Sequence, residues 1–184
     1  MTESGPDAAS TSGEREIYAG RVVTLRLKSL PQPDGRARLR EVVEHAPGAA
    51  IVAVDPDGQV LLVRQYRPAV DADLLELPAG IVDPGEQPID AARRELEEET
   101  GYTAQRLEPL VHFYTSPGFC TEVLHVFVAT GLRECLTDVS ADEDEELELV
   151  RLPIETLIER ILAGELSDAK TVSGLLAYWR RTRA

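Results

Sequence analysis

Between residues 80 and 102 the chain reads GIVDPGEQPIDAARRELEEETGY, with carboxylates from Glu86 onward at Glu86, Asp90, Glu95, Glu97, Glu98 and Glu99. Pro88 suits a first helical position, Ile89, Ala92 and Leu96 recur at helical spacing, and Gly101 supplies a stop, so the spacing predicts a helix over 88–100. At 100° per residue Glu95, Glu98 and Glu99 share about a third of its circumference, beside the apolar stripe, while Arg93 and Glu97 point away. Like charges at this spacing repel, and acids in the last turn oppose the helix dipole, together costing about 1 kcal/mol. A divalent cation reverses that sign. Hard oxygen donors without His or Cys suit Mg²⁺ or Mn²⁺ rather than structural zinc, and Mg²⁺ typically takes a few carboxylates along with substrate phosphates. The competing reading is a solvated charged helix in which Asp90 and Arg94 pair across one turn.

Gly80, Glu86, Arg94, Glu95, Glu98, Glu99 and Gly101 fill the pattern G-x5-E-x7-R-E-U-x-E-E-x-G-U, with Leu96 at the first bulky apolar position and Tyr102, in place of the usual aliphatic residue, at the last. Seven specified residues make chance occurrence very small even in Glu-rich sequence. The segment resembles the Nudix box, the signature of the Nudix hydrolases. The resemblance implies divalent-metal cleavage of a nucleoside diphosphate linked to another moiety, on a loop-helix-loop over a mixed sheet. It implies Glu95 and Glu99 as principal metal ligands, Glu98 as a further ligand or base, and the backbone carbonyl of Ala79 as a completing donor. Glu86 and Arg94 would orient the acids, since an arginine beside carboxylates keeps them ionised and in place. The metal implied is Mg²⁺, with Mn²⁺ or another divalent cation as alternative.

Outside the box, VRQYRPA, LLELPAG and TSPGFCTE, with Pro117 sixteen positions beyond Gly101, resemble the ADP-ribose pyrophosphatase branch of that family. By that resemblance Arg67 and Glu122 contact substrate, and Arg40 reaches the site similarly; the alternative for each is a surface or sheet-edge charge. The acidic stretch SADEDEELEL is either a solvated loop or, as in relatives, the source of a glutamate that ligates metal or deprotonates water, with Glu143 and Glu145 as candidates. The implied reaction is metal-dependent hydrolysis of ADP-ribose to AMP and ribose 5-phosphate. The alternatives are another nucleoside diphosphate sugar, a dinucleotide, or a Nudix-like sensor that binds a nucleotide without hydrolysing it.

These residues need a frame. Residues 16–30 and 36–46 alternate and flank the turn signal PQPDG, which predicts an N-terminal hairpin or meander. Ala49–Val54 and Gln59–Arg67, around Asp55–Gly58, predict a second hairpin. A short strand over LLELP, strands at 107–115, 122–129 and in ELELVRL, and helices at 153–164 and 167–181, the second capped by Ser167 or Asp168, complete the pattern. The expected class is α/β (α+β), a mixed sheet sandwiched by helices in a Nudix-like α/β/α sandwich, with extra N-terminal β-strands. The expected divisions are a disordered tail over 1–15, an N-terminal β segment over 16–48 that the resemblance implies is exchanged in a homodimer, and a catalytic domain over 49–184. His112 and His125 read as sheet residues rather than ligands.

Composition narrows the partners. With 33 acidic against 19 basic residues in 184, a formal charge of −14 excludes the basic stripe of a nucleic-acid binder, so a phosphorylated ligand needs a mediating cation. The first fifteen residues lack the apolar region of a signal peptide, and no apolar run reaches membrane-spanning length. Cys120 and Cys135 have no metal-site spacing and read as reduced thiols. A cytoplasmic protein acting on a small nucleotide is the expectation.

Overall fold

A computed structural model describes residues 13–135 and 147–183. They fall into two compact units, one built from the chain up to Ala46 together with Ser116–Glu122, the other from Pro47–Thr115 and the residues from Val123 onward.

The first unit is an antiparallel meander of β1 (Glu14–Ala19), β2 (Val23–Pro31) and β3 (Ala37–His45). The sequence reads β1 and β2 as one run, but a turn closed by the Gly20 amide on the Val23 carbonyl (2.9 Å) separates them. Arg26 pairs with Glu16 and Glu44, and Lys28 with Glu14 and Glu44, so opposite charges tie the three strands together. Ser116–Glu122 joins through Val43, whose amide donates to the Phe119 carbonyl and whose carbonyl accepts from the Thr121 amide.

The second unit carries a seven-stranded mixed sheet: β4 (Gly48–Val54), β5 (Gln59–Arg67), β6 (Ala72–Glu76), β7 (Ala79–Ile81), β8 (Tyr102–Tyr114), β9 (Val123–Glu134) and β10 (Glu148–Pro153). β4 and β9 run parallel; every other pairing is antiparallel. β4 is buried along its whole length, as expected of a central strand covered on both faces. Ala50, Val52 and Val54 enter one core with Leu157 and Leu175, from α2 (Ile154–Leu162) and α3 (Ala169–Arg181). Ala49, Ile51 and Ala53 enter the other, with Ala91, Ala92 and Leu96 of α1 (Pro88–Thr100). This is the expected α/β/α sandwich.

One irregularity shapes the chemistry. β4 meets β5 only at Ala53 and Val54, and beyond that point the two diverge. The chain from β6 to β7 fills the gap: β6 pairs with the far half of β5, β7 with Gly48–Ala50, and between them the Ile51 amide donates to the Pro78 carbonyl at 2.9 Å. Leu77–Gly80 is thereby wedged inside the sheet, beneath α1. Among the described residues no helix is long and apolar enough to cross a membrane.

Candidate active site

α1 begins with Pro88 at its first turn and ends at Gly101, which adopts the left-handed conformation (φ 71°), its amide donating to the Glu97 carbonyl. Ala91, Ala92, Leu96 and Thr100 face the core, which fixes the rotation of the helix and carries Glu95, Glu98 and Glu99 to the flank nearest β7.

Arg94 organises the acids. Its Nη1 donates to Glu95 Oε1 (2.6 Å) and Glu98 Oε2 (3.0 Å), while Nε and Nη2 donate to the two oxygens of Glu86 (3.3 and 3.2 Å). Nη2 also donates to the Ile81 carbonyl at 3.0 Å, tying the cluster to β7. Asp90 is not among these partners, so the simple helix pair is replaced by a hub that reaches back eight residues to Glu86. Hydrogen bonds from Arg94 and from the Asp83 amide hold the Glu86 carboxyl below its usual range. The hydrogen bond to Glu86, reinforced by Glu95 and Glu98, raises Arg94 far above its ordinary value and keeps it charged.

The remaining box acids lock onto the wedged strand. Glu99 Oε2 accepts from the Ala79 amide at 2.9 Å. Glu95, whose side chain is 12% exposed, lies against Gly80 so closely that a Cβ there would meet its carboxylate at 1.9–2.4 Å. Only glycine leaves this cradle open.

The donor set fits a hard divalent cation. Glu86, Glu95 and Glu98 converge on the Arg94 guanidinium while Glu99 is held by the Ala79 amide, so four carboxylates are gathered beside β7 without His or Cys. Among the described residues no three acidic, His or Cys side chains already converge on one point; Glu95 and Glu98 turn to Arg94, and Glu99 to Ala79.

Arg67, on β5, makes a two-pronged pair with Glu76 at the end of β6 (Nε–Oε1 2.8 Å, Nη2–Oε2 2.7 Å). Glu76 is 1% exposed and is also bonded by Lys170 of α3. Its burial pushes the carboxyl up, but Arg67 and Lys170 outweigh this and hold it below the usual range. The Glu76 hydrogen bond in turn raises Arg67, and the charges of Asp168 and Glu99 act in the same direction. Sequence reasoning missed Glu76 and Lys170. The available signal was a charged residue between Leu75 and Leu77, at the end of an apolar strand.

In the first unit, Arg40 lines an open cavity of about 520 Å³ with Leu27, Leu39, Glu41, Gly118 and Phe119. Glu122 Oε1 lies 3.5 Å from His45 Nδ1. Glu143 and Glu145 lie outside the described residues. His112 and His125 stack across β8 and β9, with ring centres 5.9 Å apart, and Cys120 and Cys135 are both free thiols.

A glutamate-bearing helix laid over a wedged strand, in a mixed sheet between two helical layers, defines a hydrolase scaffold. The NUDIX domain profile matches residues 44–173, and the chain belongs to the Nudix family. It is 39% identical to the ADP-ribose pyrophosphatase of Bacillus subtilis (strain 168), across 88% of this chain and 87% of that one. It is 38% identical to the methanol dehydrogenase activator of Bacillus methanolicus, across 85% of each. A crystal structure of an ADP compounds hydrolase superposes with a TM-score of 0.82 over 97% of both chains at 24% identity, a likeness of fold.

Proposed function

We propose that this Nudix enzyme is a divalent-cation-dependent pyrophosphohydrolase that cleaves ADP-ribose to AMP and ribose 5-phosphate. The observation that carries the reading is the clustering of the four box glutamates on Arg94 and on the Ala79–Gly80 backbone. The B. subtilis relative, named for ADP-ribose, supports the choice of substrate.

Glu95 and Glu99, with the Ala79 carbonyl, are the proposed metal ligands, Glu98 a further ligand or base, and Mg²⁺ the proposed metal. A divalent cation bound there would neutralise diphosphate oxygens and make water a stronger nucleophile at neutral pH. Arg94, itself anchored by Glu86, keeps Glu95 and Glu98 aimed. Arg67 is the proposed diphosphate contact, since the two-pronged pair with Glu76 fixes the orientation of its guanidinium while leaving it partly exposed. Arg40 and Glu122 are proposed to contact the rest of the substrate, and Glu143 or Glu145 to help deprotonate water.

The proposed assembly is a homodimer formed through the N-terminal β segment, 16–48, with 49–184 as the catalytic domain. Exposed Ile17, Tyr18, Leu30 and Leu39 on that segment support it. Of the expected tail over 1–15, residues 1–12 lie outside the described residues and Glu14 and Arg15 belong to β1 instead, where they pair with Lys28 and Leu27 of β2. The protein is proposed to act in the cytoplasm without nucleic acid or membrane.

The test is chromatography of ADP-ribose incubated with the protein and Mg²⁺. AMP and ribose 5-phosphate in equal amounts, abolished by EDTA, support the reading; intact ADP-ribose refutes it. The same assay over other nucleoside diphosphate sugars and dinucleotides ranks the alternatives by kcat/KM. Binding without turnover of any of them would indicate a sensor.

A further inference from the structure

Among the described residues Glu76 is the one buried charged side chain. Both of its oxygens are occupied: Oε1 by Arg67 Nε, and Oε2 by Arg67 Nη2 and Lys170 Nζ. Lys170 also pairs with Asp168, at 3.1 Å, so two carboxylates and two cations form a neutral quartet. Asp168 caps α3, accepting from the Thr171 amide (3.0 Å) and hydroxyl (2.6 Å). The Thr171 hydroxyl oxygen, fully buried, accepts from the Leu77 amide at 2.9 Å. The first turn of α3 therefore grips two consecutive residues, Glu76 by its side chain and Leu77 by its backbone, across 94 positions of sequence.

The wedge runs on directly from this grip. The Pro78 carbonyl is held by Ile51, the Ala79 amide by Glu99, and Gly80 is covered by Glu95. Residues 76–80 are thus clamped at one end by α3 and at the other by the box acids. An ionic quartet built around one buried carboxylate gives no clear stability advantage over apolar packing, but it fixes geometry, because the buried charge has one low-energy arrangement of partners. Thr171 alone would hold the Leu77 amide without orienting Arg67.

We propose that Lys170, acting with Asp168 and Glu76, is a positioning residue for the metal–diphosphate site: it sets the Leu77–Gly80 backbone, hence the Ala79 carbonyl, and holds Arg67 beside the box glutamates. The proposal rests on the metal-dependent reading of the site and assigns a task to α3, an element outside the box. Lys170 itself touches neither metal nor substrate in this assignment. Its effect travels through Glu76 to Arg67 and to the wedged backbone.

The test uses full-length Lys170→Met, Lys170→Arg and Asp168→Asn proteins. Mn²⁺ affinity is read by electron paramagnetic resonance, and backbone order by amide hydrogen exchange of the 76–81 peptide in metal-free protein. Lys170→Met is expected to weaken Mn²⁺ binding about 10- to 100-fold, the usual effect of losing an outer-shell partner. It should also lose exchange protection over 76–81 and raise KM for ADP-ribose. Lys170→Arg, which keeps the charge, should recover most of the Mn²⁺ affinity and protection. Folded Lys170→Met with wild-type Mn²⁺ affinity and protection overturns the proposal. If Lys170→Met does not fold, Asp168→Asn decides by the same criteria, and failure of both to fold overturns it by reducing the quartet to a folding requirement. Absence of Mn²⁺ binding by the wild type would instead overturn the metal-dependent reading itself.

Discussion

The carboxylate of Glu95 occupies the space where a side chain at residue 80 would begin, with Oε1 1.9 Å from the position of a Cβ on Gly80. The obstacle is the end of a flexible side chain, so Gly80→Ala can be accommodated by swinging Glu95 aside, at little cost to the fold. That movement breaks the 2.6 Å bond from Arg94 and misplaces a proposed ligand. Gly80→Ala should therefore unfold within a few degrees of the wild type while its Mg²⁺ half-saturation rises about 10-fold or more. Thermal melts beside Mg²⁺ titrations of activity check this, and an unchanged half-saturation would remove Glu95 from the ligand set.

Glu99 offers a cleaner separation of charge from structure. A glutamine at 99 still presents an oxygen to the Ala79 amide, so the wedge stays closed while the negative charge disappears. Glu99→Gln should lose activity by on the order of 100-fold or more with near-normal stability. Glu97→Gln is the matched control: Glu97 lies outside the Arg94 cluster, and its substitution should change kcat/KM by less than about 2-fold. Equal effects at 97 and 99 would mean that the acids act through net charge alone.

The helix that bears these acids is legible in the sequence because its signals are local. Pro88, the apolar repeat and Gly101 define its ends, and the spacing of Glu95, Glu98 and Glu99 places them on one flank. The hairpin around Asp55–Gly58 is legible for the same reason, since Asp55 closes its own turn through the Gln59 amide. β7 is not, because three residues show no alternation; it exists only through pairing with Gly48–Ala50, far away in the chain. The Tyr102–Arg106 stretch also escapes a reading of the sequence: it is largely polar, and becomes strand because β9 runs on to Glu134 alongside it. The Asp90–Arg94 alternative follows from helix spacing alone, and it gives way because Glu86 supplies a two-pronged partner from the preceding loop. Nothing local indicates that Lys170 meets Glu76, since that contact depends on where the last helix lands.

Glu76 makes stability depend on acid pH in a defined direction. Its folded-state pKa lies below the ordinary value of 4.5, so the unfolded chain binds the proton more readily, and the stabilisation is fully present above that value. It is lost as pH falls through the folded-state value. Glu76→Gln, which removes the carboxylate shared by Arg67 and Lys170 and leaves Lys170 with Asp168 alone, should cost about 3 kcal/mol at pH 7. The gap between the two proteins should narrow as pH falls below 4.5, because the wild type there loses the same charge. Urea denaturation of both proteins from pH 7 to pH 3 measures the gap, and one that is independent of pH would show that Glu76 contributes by packing rather than as an anion.

Metal should stabilise the fold as well as activate it. Three carboxylates share one arginine of α1 and a fourth, Glu99, lies on the same helix against the Ala79 amide, so the metal-free protein carries repulsion that a divalent cation relieves. A ligand at 100 times its dissociation constant adds about 2.7 kcal/mol. For a chain of this length that corresponds to a rise in Tm of about 5–10 °C. Saturating Mg²⁺ should produce such a shift in the wild type, EDTA should reverse it, and Glu95→Gln and Glu99→Gln should each lose most of it. The Arg94→Lys protein discriminates further, because a lysine cannot bond Glu86, Glu95 and Glu98 at once. Its metal-free Tm should fall and its Mg²⁺ shift should shrink, since the carboxylates are no longer held together to receive the ion. If Mg²⁺ leaves the wild-type Tm where EDTA puts it, the acids on α1 are a surface feature and not a metal site.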